Sequence, residues 1–528
     1  IFQERIEKEF LEQNSLREGP LYQGDERFIW WDPYETLNLS RHKLRNSSWA
    51  IKSNSNISIS EHGLSILNQF NQYLKIEITH NIAVDYYSLG KKINKKYFKN
   101  LHVFDSLLYA LEAEHGVGRD DRRFYFDAVN ETFKPIYYDG MSNVLVENQI
   151  NQSPFESEEN LNLLSKTFLK TARVIPSSVE GADEALDLIK KLNVKKLTDK
   201  LNSRGVIFSL KKVEDLKKNV IFNLENLKNF NSKRIYVVSA ELNRNSFMKK
   251  EDNFNRNFPR RFVYYGKDFS EFLNCDLFGS NCKKLTIDNT QKTKLISQEL
   301  LDENNNSLVY VGKKKTTSVQ SGWHSDDFQK IKKTYFKIDN DFSFYTIGSV
   351  DHDIDKILKT ITFKKKNILS KIVFLNGYLK DWKIIFKNDL SENKKKFLKM
   401  DLNGVSGCLN FIDMEIQGAI IEIEDSNCED AVNFIRTNGT IKFLKILNSK
   451  HDSVDADFSN IEFNKIEIFR SGNDCLDFSY GEYTVKNALV KFCGDKAVSA
   501  GEGSVLEIQD SNFFQSNIGV ASKDYARV

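Results

Sequence analysis

The stretch DAVNFIRTNGTIKFLKILNSKHDSVDADFSNIEFNKIEIFRSGNDCLDFS (residues 430–479) decides the fold, because one pattern recurs at a fixed period in it and in the chain that follows. Hydrophobic residues recur every 22 positions, at Val432, Val454, Leu476, Val498 and Val520. Two positions later stands a second column of hydrophobic or small residues, Phe434, Ala456, Phe478, Ala500 and Ser522. Mostly polar residues lie between the two columns. This alternation predicts a short strand with one buried face in every repeat.

A period of this length, kept over five repeats with a strand in each, is typical of a solenoid. Two further columns predict additional strands per coil, Ile461, Tyr483, Val505 and Ile446, Ile468, Val490. The repeated leucines and fixed asparagine of a leucine-rich repeat are missing. The sequence therefore predicts an all-β, right-handed parallel β-helix of 22-residue coils over residues 341–528. Strand-like segments at 359–363, 371–375 and 382–386 predict less regular early coils, which would protect the first coil.

The composition bounds the class of protein. Hydrophobic residues make up 40% of the 528 residues and aromatic residues 12%, which is too much for a disordered chain. The 76 basic and 73 acidic side chains nearly cancel, so no global field favours nucleic acid as a partner. No apolar run is long enough to span a membrane. The six cysteines are too few and too irregularly spaced for a disulfide framework or a zinc site. Two alternatives remain for Cys275 and Cys282: a disulfide bridge between them, or free thiols.

The sequence predicts a multidomain chain of four segments. These are an α+β module at 1–155, a helical segment at 156–230, a β-rich connecting module at 231–340 and the solenoid at 341–528. Because the chain begins at Ile1 without a methionine and stops at Val528 inside a repeat, we expect a fragment that is cut at both ends.

The most informative part of the first segment is a predicted hairpin. Two β-rich runs, Arg123 to Asp127 and Phe133 to Tyr138, flank a turn. An antiparallel pair returns the chain to its starting level, so we expect four side chains at one end of the hairpin, those of His115, Asp120, Asp121 and Asp139. Phosphoryl transfer uses such a group, with one carboxylate to orient the acceptor hydroxyl and another to hold Mg²⁺. The alternative is a set of solvated turn residues.

Residues Glu114 to Asp127, followed by Phe133 to Met141, resemble the catalytic loop, hairpin and metal-binding aspartate of the CotH (spore coat protein H) kinase-like family. The opening helix and Glu18-Gly19-Pro20 also resemble a segment found in some bacterial members. The resemblance covers roughly residues 1–150 and implies a kinase-like C-lobe in a secreted or envelope protein, with Mg²⁺ and ATP as cofactors.

The same resemblance implies roles for single residues. Asp121 would lie in the catalytic loop with His115 and Asp120 beside it, and Asp139, together with Asp121, would bind magnesium. Arg122 or Arg123 would meet phosphate. The chain departs from the family pattern because the strands, phosphate-covering loop and lysine of the amino-terminal lobe would lie before Ile1. A pseudokinase is therefore an open alternative.

A second candidate site lies on the solenoid. Successive coils stack at about 4.8 Å, so the sequence places four carboxylates in one patch with His451 at its edge, those of Asp452, Asp455, Asp474 and Asp477. Like charges this close raise at least one pKa or recruit a cation such as Ca²⁺. A β-helix glycosidase or lyase uses such carboxylates as an acid and base pair. The alternative is a structural turn, in which Asp and Asn bond backbone amides.

Two functional hypotheses follow. The first is a kinase-like phosphotransferase joined to a β-helix that binds a surface or glycan, with a protein or glycan acceptor at the cell envelope or outside the cell. The second is a polysaccharide-binding or polysaccharide-cleaving β-helix whose amino-terminal half is only structural.

Overall fold

The structure is a computed structural model. It describes residues 6–24, 42–78, 97–117, 121–140, 142, 144, 176–229, 260–265, 272–275, 281–305, 307–313, 333–338, 341–367, 369–388 and 404–528. The chain forms two compact units, one of Ile1–Glu18 with Asp326–Val528 and one of Gly19–Ser325. The first eighteen residues therefore belong with the solenoid, whereas the sequence placed them in the amino-terminal module.

The solenoid begins with antiparallel strands. Strand β9 (Lys333–Ile338) pairs with β10 (Phe342–Ile347), and β10 pairs in turn with β13 (Lys371–Lys380). Strand β11 (Val350–Asp355) pairs antiparallel with β12 (Thr360–Lys365). From β12 onwards the strands stack in parallel. The antiparallel strands thus cover the first parallel coil, as the irregular early segment predicts.

The remaining strands form a parallel β-solenoid of about six turns. They are β14 (Lys383–Asn388), β15 (Gly407–Ser426), β16 (Asp430–Ile435), β17 (Asn438–Ser449), β18 (Asp452–Phe463), β19 (Ile466–Ser471), β20 (Leu476–Val485), β21 (Ala488–Cys493), β22 (Lys496–Gly501), β23 (Val505–Ile508), β24 (Asn512–Phe514) and β25 (Ile518–Ser522). Each coil carries three strand segments and so has three faces. The first face, as the term is used below, is the stack of the segments 407–412, 430–435, 452–457, 476–479, 496–501 and 518–522. The third face is the stack of 420–424, 443–449, 466–471, 488–493 and 512–514.

The predicted register is confirmed on the first face. Val432 pairs with Val454, Val454 with Leu476, and the column continues to Val498 and Val520. All of these side chains except Val520, which is exposed on the last coil, point into a continuous core. In this core the rings of Phe374, Phe411 and Phe434 stack at 4.8 and 5.2 Å. One predicted column is wrong in its last member, because Tyr483 pairs with Leu506 and Val505 pairs with Glu482. A longer turn before β23 shifts the register there by one residue.

All six cysteines are paired, so the prediction that they form no disulfide framework is wrong. The bridges join Cys275 to Cys282, Cys408 to Cys428 and Cys475 to Cys493. The two solenoid bridges span 20 and 18 residues, just short of one coil. Such a separation returns the chain to nearly the same corner, which brings the paired cysteines together.

The second unit mixes helices and strands. Its strands form two four-stranded sheets, one of β1 (Leu21–Gly24), β2 (His42–Leu44), β3 (Arg123–Asp127) and β4 (Thr132–Ile136), and one of β5 (Arg260–Tyr265), β6 (Phe272–Cys275), β7 (Lys283–Leu285) and β8 (Ser307–Lys313). Helix α1 (Lys8–Gln13) belongs to the first unit. The helices here are α2 (Ser47–Ala50), α3 (Asn54–Ile78), α4 (Leu101–Ala110), α5 (Pro176–Lys191), α6 (Val194–Ser203), α7 (Leu210–Lys228) and α8 (Asn289–Ile296). Within the described ranges, no helix is long and apolar enough to cross a membrane.

Candidate functional site

The predicted hairpin forms from β3 and β4, which pair antiparallel from Arg123 with Ile136 to Asp127 with Thr132. A 3₁₀ turn, Glu114–Val117, lies before it in the chain. A Cβ atom built on Gly116 would lie 3.1 Å from the carbonyl oxygen of Tyr138 and 3.5 Å from the Cα atom of Gly140. The turn before the hairpin and the segment after it are therefore in close contact.

The predicted site residues near this contact differ in their exposure to solvent. Asp139 is exposed and has a φ of +41°, a left-handed conformation that is uncommon for a residue with a side chain. Asp121 is buried. His115 lies on the 3₁₀ turn, but its side chain is outside the described part of the structure, as is the whole of Asp120.

Both candidate phosphate ligands have their guanidinium groups inside the fold. Arg122 Nη1 lies 2.6 Å from Asp105 Oδ1 on α4, and Asp105 Oδ2 accepts a hydrogen bond of 2.6 Å from Ser177 on α5. The guanidinium carbon of Arg123 lies 3.9 Å from the centre of the Tyr138 ring. These contacts tie the loop to two helices and to the segment before Asp139. A role of either arginine at phosphate stays a prediction.

On the solenoid, two of the four predicted carboxylates bond the backbone of the next coil. Asp452 Oδ1 accepts a hydrogen bond of 2.8 Å from the amide of Asp474. Asp474 Oδ1 accepts one of 3.0 Å from the amide of Lys496, whose ammonium group lies 3.3 Å from the same carboxylate. These two residues therefore join successive coils, as the structural alternative expects. The exposed His451 contributes its backbone carbonyl, which accepts a hydrogen bond from Ser471.

The other two carboxylates, Asp455 and Asp477, lie in the outward column of the first face, which runs Asn433, Asp455, Asp477, Ser499. Asn433 Nδ2 donates a hydrogen bond to Asp455. Burial, with Asp457 and Asp430 nearby, raises the pKa of Asp455 well above its ordinary value. Burial also raises the pKa of Asp430 to about 7 and that of Asp477 to about 6. The first face therefore concentrates carboxyl groups whose pKa values are raised by burial.

A residue that the sequence did not single out lies against this cluster. Arg17 Nε is 2.9 Å from Asp457 Oδ2, and Arg17 Nη2 is 3.5 Å from Asp455 Oδ2 and 3.3 Å from Ser406 Oγ. Burial opposes the charge of the guanidinium, but the carboxylates of Asp457 and Asp455 outweigh it, so the pKa of Arg17 is raised. Arg17 is more than 380 residues from all of these partners, and no local sequence pattern predicts the contact.

The rest of the segment 6–18 follows the same face across several coils. Lys8 Nζ lies 3.0 Å from Glu502 Oε1, and the Tyr480 hydroxyl donates to Glu12 over 3.3 Å. Arg436 Nη1 donates to the carbonyl oxygen of Ser15 over 3.4 Å. Leu11 of α1 is buried. The segment therefore runs along the edge of the first face, against residues that directly follow its strands.

The described residues contain no group of three or more His, Cys, Asp or Glu side chains arranged to hold a metal ion. Comparison of the chain with protein-family models, with characterised proteins and with solved structures found no match. The likeness to the CotH family therefore rests on the residue pattern alone.

Proposed function

We propose that the chain joins a kinase-like, Mg²⁺- and ATP-dependent phosphotransferase module to a solenoid that binds a glycan at a cell surface. The observation that carries the first half is the contact between Gly116 and the Tyr138–Gly140 segment. It brings the turn that holds His115 close to the segment that holds Asp139, and this closeness supports a grouping of the kind that phosphoryl transfer uses.

The residues present fit a magnesium ion in one respect. Asp139 is exposed and follows the buried hairpin directly in the chain. Carboxylate oxygens are the ligands that Mg²⁺ prefers, and a bound ion would neutralise charge on the nucleotide phosphates. In this proposal Asp139 holds the ion and Asp121 orients the acceptor hydroxyl. His115 and Asp120 would lie beside Asp121.

Nucleotide binding tests the proposal. We expect the full chain to bind ATP in calorimetry with Mg²⁺ present and to lose most of this affinity in Asp139→Asn. Asp127→Asn is the matched control, because Asp127 lies at the other end of the same hairpin and bonds Asn130 in the turn. Equal binding by Asp139→Asn and the native chain would remove Asp139 from the site. Binding of ATP without transfer to any acceptor would favour the pseudokinase alternative.

A second observation favours glycan binding by the solenoid. Three phenylalanine rings lie exposed along the third face, and their exposed fractions are 39% for Phe469, 40% for Phe492 and 48% for Phe514. The rings of Phe469 and Phe492 are 5.0 Å apart, and Lys491 Nζ lies 5.3 Å from the Phe514 ring. Phe469 and Phe514 lie in one column of this face with Lys491 between them, and Phe492 lies beside that column. The exposed rings and the lysine form a stripe on which sugar rings can stack.

Glycan cleavage at the acidic patch stays a prediction with less support. Asp452 and Asp474 bond backbone amides, and Asp455 contacts Arg17. Affinity electrophoresis in gels that contain neutral or acidic polysaccharides shows whether a glycan binds at the phenylalanine stripe or at the acidic patch. We expect Phe492→Ala to lose retardation, whereas Asp477→Asn and the control Tyr525→Ala, an exposed aromatic away from the stripe, keep it. Loss in Asp477→Asn alone would move glycan binding to the first face.

The disulfides support a location outside the reducing cytosol. Three bridges involve every cysteine of the chain, and such bridges persist in oxidising compartments. We therefore propose a cell-envelope or extracellular location. Fractionation of the producing cells, with thiol labelling before and after reduction, tests it.

A further inference from the structure

Two positively charged side chains lie among the exposed phenylalanine rings of the third face. The guanidinium carbon of Arg470 lies 5.7 Å from the centre of the Phe469 ring, and Lys491 Nζ lies 5.3 Å from the centre of the Phe514 ring. Phe492 directly follows Lys491 in the chain, and its ring centre is 5.0 Å from that of Phe469. Rings and positive charges therefore alternate along the phenylalanine stripe.

These two cations differ from the lysines of an earlier coil, which have acidic partners. On β14, two lysines lie 2.8 and 3.4 Å from glutamate carboxylates of the next coil, in the pairs Lys383–Glu422 and Lys387–Glu424. In the part of the chain that the structure describes, neither Arg470 nor Lys491 makes an ion pair. Arg470 Nη1 instead donates a hydrogen bond of 3.4 Å to the neutral side-chain amide of Asn448. The positive charge of the stripe is therefore not neutralised by the described residues.

The backbone at the stripe gives a second reason to assign these side chains a role. Arg470 and Phe492 occupy the same corner of successive coils, with φ values of +68° and +65°. Asn448 lies at this corner one coil earlier, with a φ of +59°. The left-handed conformation suits asparagine, whereas it is costly for a bulky side chain. The chain thus keeps a cation and a ring where the backbone favours asparagine or glycine, and such strain is often found at binding sites.

We propose that the ligand of the phenylalanine stripe is an anionic polysaccharide, whose carboxylate or sulfate groups bind Arg470 and Lys491 while its sugar rings stack on the phenylalanines. This inference rests on the proposed glycan binding and specifies the class of glycan. A guanidinium group can bind an oxyanion through two parallel hydrogen bonds, and the lysine adds a point charge.

Nucleic acid also combines anionic groups with rings that stack. The 76 basic and 73 acidic side chains of the chain nearly cancel, however, and the extended basic surface of a nucleic-acid-binding protein is not indicated. The disulfides favour an extracellular ligand as well. An acidic polysaccharide therefore fits the stripe better.

Binding of the full chain to two matched pairs of immobilised polymers, measured by biolayer interferometry, tests the class of ligand. The pairs are dextran sulfate with dextran, and polygalacturonate with its methyl ester, so each pair shares a backbone and differs in charge. We expect the acidic member of at least one pair to bind about tenfold more tightly than its neutral counterpart, and less tightly as the salt concentration rises. Replacing Arg470 and Lys491 together by glutamine should remove this preference and leave binding of the neutral member unchanged.

The matched control replaces Lys383 and Lys387 together by glutamine. It removes the same charge from the solenoid, but from lysines that pair with glutamates, so it should leave binding of the acidic polymers unchanged. Equal losses in the two double variants would overturn the proposal, because the polymers would then respond to net charge alone. Tighter binding of a single-stranded oligodeoxynucleotide than of either acidic polysaccharide would also overturn it.

The outcomes for the class of glycan and for the stripe itself are distinguishable. If the native chain bound both members of a pair equally and Phe492→Ala bound neither, glycan binding at the stripe would stand and the anionic class would be wrong. If Phe492→Ala bound the acidic polymer as tightly as the native chain while the variant of Arg470 and Lys491 did not, the anion site would stand and stacking on the rings would be wrong. Absence of binding to all four polymers would overturn both proposals.

Discussion

Arg122 Nη1 lies 2.6 Å from Asp105 Oδ1, and both side chains are almost completely buried. The pair links the loop that enters the β3–β4 hairpin to helix α4, and the hydrogen bond from Ser177 to Asp105 extends the link to α5. A buried charge that loses its partner is strongly destabilising, whereas a buried ion pair that is replaced by two apolar side chains often is not.

We therefore expect Asp105→Leu to lower the free energy of unfolding by about 3–5 kcal/mol. The double variant Asp105→Leu with Arg122→Met should recover much of this loss, because no unpaired charge remains. Urea unfolding followed by tryptophan fluorescence measures both. If Arg122→Met alone left stability unchanged and reduced only nucleotide affinity, the side chain would serve phosphate rather than the fold.

The hairpin itself could be predicted from sequence, since two β-rich runs and a turn are local features. The partner of Arg122 could not, because Asp105 and Ser177 are brought to it by the packing of two helices. The same limit applies to Arg17, whose carboxylate partners Asp455 and Asp457 follow it by more than 400 residues. Periodic contacts are the exception, because a fixed 22-residue spacing converts distance along the chain into a neighbour in space.

The same spacing shows where the predicted acidic patch combined residues with different roles. The sequence placed Asp452, Asp455, Asp474 and Asp477 in one patch, but the register puts Asp455 and Asp477 in an outward column, while Asp452 and Asp474 bond the next coil. The two solenoid disulfides could have been predicted from the sequence, because cysteines that are 18 or 20 residues apart are separated by nearly one coil.

Close stacking of coils makes some glycines indispensable. A Cβ atom on Gly481 would lie 2.0 Å from the carbonyl oxygen of Ser459, and the φ of Gly481 is +139°. We expect Gly481→Ala to lower the unfolding free energy by about 3 kcal/mol or more, since both the clash and the backbone conformation oppose a side chain. Gly503→Ala is the control: its φ is +68° but nothing lies within 4 Å, so about 1 kcal/mol is expected. Equal losses in thermal unfolding would contradict the clash.

Each solenoid disulfide closes a loop of nearly one coil and so restricts the unfolded chain. Replacing Cys475 and Cys493 together by alanine should cost about 3 kcal/mol, measured by denaturant unfolding without reductant. The double replacement of Cys275 and Cys282, in the other unit, is the control and should leave the solenoid transition in place. An unchanged solenoid transition in the first double variant would show that stacking alone sets its stability.

The acidic cluster predicts how stability depends on pH. Burial, together with the negative charges of Glu429 and Asp452, raises the pKa of Asp430 from 3.8 to about 7, against the charge of Arg17 and the hydrogen bond of Ser406. A raised pKa in the folded state means that the fold binds the proton more tightly than the unfolded chain does. The resulting stabilisation is complete below pH 3.8 and is lost as the pH rises to about 7. Asp477, with a pKa of about 6, acts in the same direction.

We expect Asp430→Asn to stabilise the solenoid by about 1–3 kcal/mol more at about pH 8 than at about pH 5, because an amide resembles the protonated acid at every pH and the native chain loses stabilisation between these two values. Urea unfolding of the full chain at the two pH values measures the difference. The exposed Asp353→Asn is the control, and the same pH dependence as the native chain is expected from it. If Asp430→Asn instead destabilised the solenoid more at about pH 8 than at about pH 5, the ionised carboxylate would be the form that the fold requires, and the attraction of Arg17 would outweigh burial.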